Sequence, residues 1–232
     1  MHEQLVFTAK VADFEMDYMK FGHGQKVFVV LPGMSLMSVM PMAPLCAGAY
    51  HSFTEDYTVY LFDRRKEFGL GYSVEDMAAD TALVMKSLGI AHADIMGFSQ
   101  GGMMAESIAE NHPNLVRKLV LGSTFSRANE TSNAVFDKWI RWTLEGKIET
   151  LISDFVDKLY TEKRLNFAGS PLLMQIVVRH RAIGKSLSPW RKPARLLMAL
   201  RRFQKSNARH LFWVLPWTRF LSQIRPLKCT IS

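Results

Sequence analysis

Two continuous apolar, β-branched runs limit what this chain can fold into more than anything else in it: "KVFVVLPG" (26–33) and "YTVYLFDRR" (57–65). A strand with no apolar–polar alternation is suited to burial on both faces, the environment of a parallel sheet. The text between and after them reads as helix, strand, helix, strand. "YSVEDMAADTALVMKSLGI" (72–90) places Val74, Met77, Ala78, Thr81, Ala82, Met85 and Leu88 at three- and four-residue spacings. Ser73 with Asp76 three residues on is an N-cap signal, and Gly89 is a C-terminal stop. "ADIMGF" (93–98) is strand, "GGMMAESIAENHP" (101–113) helix and "VRKLVLGST" (116–124) strand. Short connections in that order predict right-handed crossovers and a mostly parallel α/β sheet with helices on both faces. Residues 5–31 add two or three short strands around a Gly22–Gly24 turn.

Composition matters at two places. Val27–Tyr50 holds no charged residue and is long enough to span a bilayer. Pro32, Pro41 and Pro44 would kink such a helix, so a buried strand followed by an apolar loop is expected instead of a transmembrane segment. The charge is also divided unevenly. Of 29 Lys and Arg and 21 Asp and Glu, the residues after Glu162 carry 15 of the first group and none of the second. The expected organisation is a core over 1–128, a helical insertion over 129–180 with mixed charge, and a basic, acid-free tail over 181–232. Cys46 and Cys229 have neither disulfide-framework nor metal-ligand spacing, and the N-terminus has no signal-peptide pattern, so a cytoplasmic protein without metal or other cofactor is expected.

Gly97-Phe98-Ser99-Gln100-Gly101 is a G-x-S-x-G pattern at a strand end that opens a helix. This is the placement in which a sharp turn strains the serine backbone and lifts its hydroxyl above the sheet. Side chains at Gly97 and Gly101 would collide in such a turn. The alternative is that the glycines only permit a tight turn and Ser99 is an N-cap. With "VFVVLPGM", "VYLFDRR", the 72–90 helix and "VRKLVLGST" in order around it, residues 20 to about 130 resemble an α/β-hydrolase of the esterase, lactonase and peptidase type. That resemblance implies a Ser99 nucleophile acting on a small acyl substrate through an acyl-enzyme. It also implies oxyanion donors from the backbone N–H groups of Gln100 and Met34. The family often carries His-Gly where Pro32-Gly33 stands here, which leaves the backbone donor in place. Asp63 and Arg64 are expected to brace loops, and the helical block after Asn129 resembles a cap.

The same resemblance calls for an acid and then a histidine late in the chain. No acid follows Glu162, and no family-type acid or histidine is identified. His112 is expected to be a surface cap, His180 and His210 lie in the basic tail, and Asp137, Asp154 and Asp157 are expected on solvated faces. Three explanations remain open: a truncated or frame-shifted hydrolase reading, a non-catalytic relative whose tail binds anionic membrane or another partner, and a partner chain that completes the site. No nucleic-acid motif is present. Incomplete strand pairing leads to an expectation of self-association.

Overall fold

The computed structural model describes residues 5–34, 38–68 and 72–159. They fall into two compact units, one ending at Ala128 and a helical one starting at Asn129. The basic tail, with His180, His210 and Cys229, lies outside the described residues.

The first unit is built on a six-stranded sheet: β1 (Val6–Val11), β2 (Phe14–Phe21), β3 (Lys26–Leu31), β4 (Tyr57–Arg65), β5 (Ala93–Phe98) and β6 (Val116–Gly122). The strand order is β1-β2-β4-β3-β5-β6. The β1–β2 and β2–β4 pairs are antiparallel, while β3–β4, β3–β5 and β5–β6 are parallel. The expected mostly parallel α/β sheet is therefore present. The continuous runs are its centre: the last four residues of β3 and the middle five of β4 are buried.

Alternation along the strands sends side chains to two covered faces. Phe28, Val30, Val59, Leu61 and Met96 pack with Met40 and Ala43 on one face, against helix α1 (Ala43–Ala49). Val29, Leu31, Phe62 and Ile95 point to the other face, where α2 (Val74–Ser87) and α3 (Gln100–Asn111) lie on the strands. Burying side chains of this size contributes about 1.5–3 kcal/mol each. Ser73 caps α2 as expected: its Oγ accepts from the Asp76 N–H, and Asp76 Oδ2 accepts from the Ser73 N–H.

The apolar stretch 27–50 departs from expectation in one respect. It holds α1 in addition to strand and loop, because Pro41 and Pro44 occupy the first turns of a 3-10 segment (Met40–Met42) and of α1. A proline's missing N–H costs nothing at those positions. Among the described residues, no helix is long and apolar enough to cross a membrane.

The second unit comprises α4 (Glu130–Leu144) and α5 (Ile148–Leu159). Trp139 meets Phe155 edge-on with ring centroids 5.4 Å apart. Asp154, expected on a solvated face, is instead the polar joint of this pair. It accepts from Lys138 at 2.7 Å, Trp139 Nε1 at 2.6 Å and Lys158 at 3.2 Å. Partial burial works against its charge, but those hydrogen bonds prevail and hold its carboxyl below the usual aspartate value.

Candidate active site

Strands β3 and β5 are neighbours with Leu31 paired to Gly97, yet the chain leaves β3 toward β4 on one side and leaves β5 toward β6 on the other. That reversal opens a crevice at the carboxyl ends of the strands. Pro32-Gly33-Met34 follow β3 there, and Ser99 follows β5.

Ser99 has φ 49° and ψ −117°, a conformation that strains any residue with a Cβ. The surroundings hold it in place. Its N–H donates to the Gly122 carbonyl at 3.0 Å, and its own carbonyl accepts from Gly102 N–H at 2.9 Å and Thr124 Oγ1 at 2.7 Å. The flanking glycines are required by space. A Cβ on Gly97 would lie 2.7 Å from the Gly102 Cα, and one on Gly101 would lie 2.6 Å from the Pro32 carbonyl oxygen. Ser99 occupies the N-cap position, but its side chain makes no capping hydrogen bond. The N-cap alternative therefore does not account for this serine.

Across the crevice, a Cβ on Gly33 would be 3.4 Å from Ser99 Cβ, so the loop after β3 runs directly beside the serine. Asp63 and Arg64 brace both arms of that loop. Asp63 Oδ2 accepts from the Val39 N–H at 3.2 Å and its Oδ1 accepts from the Arg64 N–H at 2.9 Å. Arg64 Nη2 donates to the Gly33 carbonyl and to Gln100 Oε1. Burial pushes the Arg64 guanidinium below its ordinary pKa, an effect that nearby Asp63 opposes. Gln100, just after the serine, is itself buried, at 1% exposure.

The parts brought together are thus a partly buried serine on a strained turn, the first amides of α3 and the Gly33–Met34 peptide. A helix leaves its first N–H groups without internal partners and carries partial positive charge there, which suits a developing oxyanion. The described histidines are all elsewhere. His23, His51 and His92 precede β3, β4 and β5, while His112 caps the far end of α3. His112 is therefore on the surface as expected; burial and neighbouring Lys86 hold its imidazole below the ordinary value. After β6, Ser123 and Thr124 stand where an acid could have been, and Thr124 serves to lock the serine backbone. Among the described residues no cluster suited to a metal ion is present. Sequence spacing did not reveal the Gln100 side chain or Thr124 as parts of this region, since their partners lie 36 and 25 residues away.

Comparison with known proteins agrees with this architecture. RutD of Caulobacter segnis, whose name points to carbamate hydrolysis, is 34% identical over 105 residues, covering 41% of this chain and 38% of RutD. The mouse serine hydrolase BPHL is 26% identical over 144 residues, covering 56% of this chain and 47% of BPHL. The matched stretches thus span less than half of either relative. Among solved structures, an alpha/beta hydrolase from a Medee basin deep-sea metagenome library superposes with a TM-score of 0.70 at 14% identity, over 87% of this chain and 72% of that one. The enol-lactonase of Burkholderia xenovorans gives 0.66 at 18% identity, over 87% and 74%. The family model described as alpha/beta hydrolase fold matches residues 26–215, well beyond the 20–130 stretch that carries the resemblance in the motifs. With most of its length matched by that model, the chain belongs to the alpha/beta hydrolase fold family.

Proposed function

We propose that this chain carries the nucleophile half of a serine hydrolase acting on a small ester, lactone or related acyl compound. The observation that carries this reading is the Ser99 backbone at φ 49°, held strained by its backbone hydrogen bonds while its side chain does no capping. Natural proteins keep such strain where function needs it. Ser99 Oγ would attack the acyl carbon to form an acyl-enzyme. The N–H groups of Met34 and Gln100 would receive the oxyanion, with Gly97 and Gly101 giving the turn its room. The insertion that begins at Asn129, helical in α4 and α5, would be a cap-like unit. The names of RutD and the enol-lactonase, one a carbamate and one a lactone enzyme, fit an acyl substrate of this size.

A base within hydrogen-bond reach of Ser99 is needed for turnover. All four described histidines sit at or near the opposite end of the strands, so none of them is that base, and no acid follows Glu162. Reactivity of this chain toward esters is accordingly expected to be weak. A cytoplasmic setting and self-association along β6, one of the two outer strands among the described residues, belong to the same reading; Val120 on it is 36% exposed.

The test is covalent labelling with a fluorophosphonate, alongside turnover of short p-nitrophenyl esters. Label on the wild type that disappears in Ser99→Ala supports the proposal. Absence of label and turnover under all conditions would overturn it.

A further inference from the structure

Gly33 and Met34 share a peptide unit: Gly33 supplies the carbonyl and Met34 the N–H. No peptide bond among the described residues is cis, so these two groups point to opposite sides of the unit. Arg64 Nη2 donates to the Gly33 carbonyl oxygen at 2.7 Å and to Gln100 Oε1 at 2.8 Å. A guanidinium nitrogen of this type has two hydrogens, so both bonds form at once. One atom therefore grips the peptide whose far side bears the Met34 N–H, and also the side chain of the residue whose N–H opens α3.

On the reading that Ser99 is a nucleophile, we propose that Arg64 is a positioning residue that aims the Met34 N–H and sets its spacing from the Gln100 N–H. The device has a physical need. A peptide that begins at glycine turns over easily, because no Cβ restricts the backbone on its N-terminal side. Left unanchored, the Gly33–Met34 plane could present its carbonyl to the crevice and repel an oxyanion. Arg64 removes that option by holding the carbonyl on the other side. Its cationic hydrogen bond also polarises the peptide, which makes the opposite N–H a stronger donor. The guanidinium is itself fixed. Its side chain is 13% exposed, and Asp63 lies 3.9 Å from Nη1 while accepting from the Arg64 backbone N–H. Lysine would replace it only in part, since its ammonium can donate to both oxygens but lacks the length and the fixed planar orientation of the guanidinium.

Two readouts in the full chain test this. Backbone NMR of Arg64→Met should move the Gly33 carbonyl and Met34 amide resonances, with Arg64→Lys intermediate. Fluorophosphonate labelling of Ser99 in Arg64→Met should slow about 10- to 100-fold at saturating probe, the scale of a misaimed oxyanion donor. The probe concentration giving half-saturation should change little, and added guanidinium should restore part of the rate in Arg64→Gly. A purely structural Arg64 would not give that split or that rescue. Unmoved Gly33 and Met34 resonances, or labelling of Arg64→Met at the wild-type rate, would overturn the proposal. If Ser99 takes no label even in the wild type, the nucleophile reading fails separately, and the resonances alone decide whether Arg64 holds the peptide.

Discussion

At the start of the parallel strands, Arg117 pairs directly with Asp94, Nη2 to Oδ2 at 2.5 Å, and Tyr57 donates its hydroxyl to the same oxygen at 2.9 Å. At their ends, Arg64 has its carboxylate neighbour 3.9 Å away and donates instead to two neutral oxygens. The first arginine neutralises a buried charge; the second orients a loop. The surroundings differ in the same sense. Around the first, buried Phe28 packs its ring at a tilt against Phe53 and Tyr57, and burial together with Asp94 pushes the Tyr57 phenol up. Around the second stand a strained serine, glycines in contact with backbone, and buried nitrogens on Arg64 and Gln100 that no hydrogen bond satisfies. Asp94 Oδ1 at the first end is likewise buried without a hydrogen bond, so what sets the second end apart is the strained serine backbone and the glycines packed against backbone.

The most damaging way to probe that difference is to fill the turn. Gly101→Ala would drive a Cβ into the Leu31 and Pro32 carbonyls, neither of which can move without shifting β3. We expect a loss of about 3 kcal/mol, at the upper end for overpacking, and with it the loss of any Ser99 labelling. Chemical denaturation with far-UV circular dichroism measures the first effect. A variant that melts like the wild type would mean that the strand end is not tightly packed.

At the opposite end, Arg117→Leu should destabilise by about 2 kcal/mol. Breaking a buried pair by removing one partner usually costs more, but the Arg117 side chain is 39% exposed and part of its interaction is already screened. Asp94 would keep only the Tyr57 hydroxyl. Ser99 labelling, where present, should be unchanged, since the substitution is at the other end of β6. A change in labelling as large as the change in stability would show that the two ends are coupled, and the contrast between them would fail.

How far this contrast could be read in advance differs by region. The parallel strands were legible because β3 and β4 are apolar without alternation, and the cap of α2 was legible because Ser73 and Asp76 are three residues apart. Ser99 and its glycines were legible for the same local reason. α1 was not, because Pro41 and Pro44 look like helix breakers until a helix is seen to start on them. Asp154 looked like a surface acid, since nothing in its spacing reveals Trp139 and Lys138 on the previous helix. The roles of Gln100 and Thr124 were equally hidden. They consist of single hydrogen bonds to residues distant in sequence, and only the sheet order brings those residues together.

The smallest expected effect has the opposite sign and addresses strain directly. Ser99 sits near the backbone angles of the first central residue of a type II′ turn, which glycine adopts without penalty. Holding a residue with a Cβ there costs on the order of 1–3 kcal/mol. Ser99→Gly should recover that amount, less roughly 0.5–1 kcal/mol for the greater freedom of glycine in the unfolded chain. The net gain should be about 1 kcal/mol. Ser99→Ala is the necessary control, because alanine removes the hydroxyl but keeps the Cβ and therefore the strain. Its melting temperature should stay near that of the wild type while Ser99→Gly rises. If both variants rise together, the hydroxyl and not the backbone was destabilising the fold. If neither rises, the turn is relaxed, and the end of the sheet around Ser99 holds no more strain than the end around Asp94.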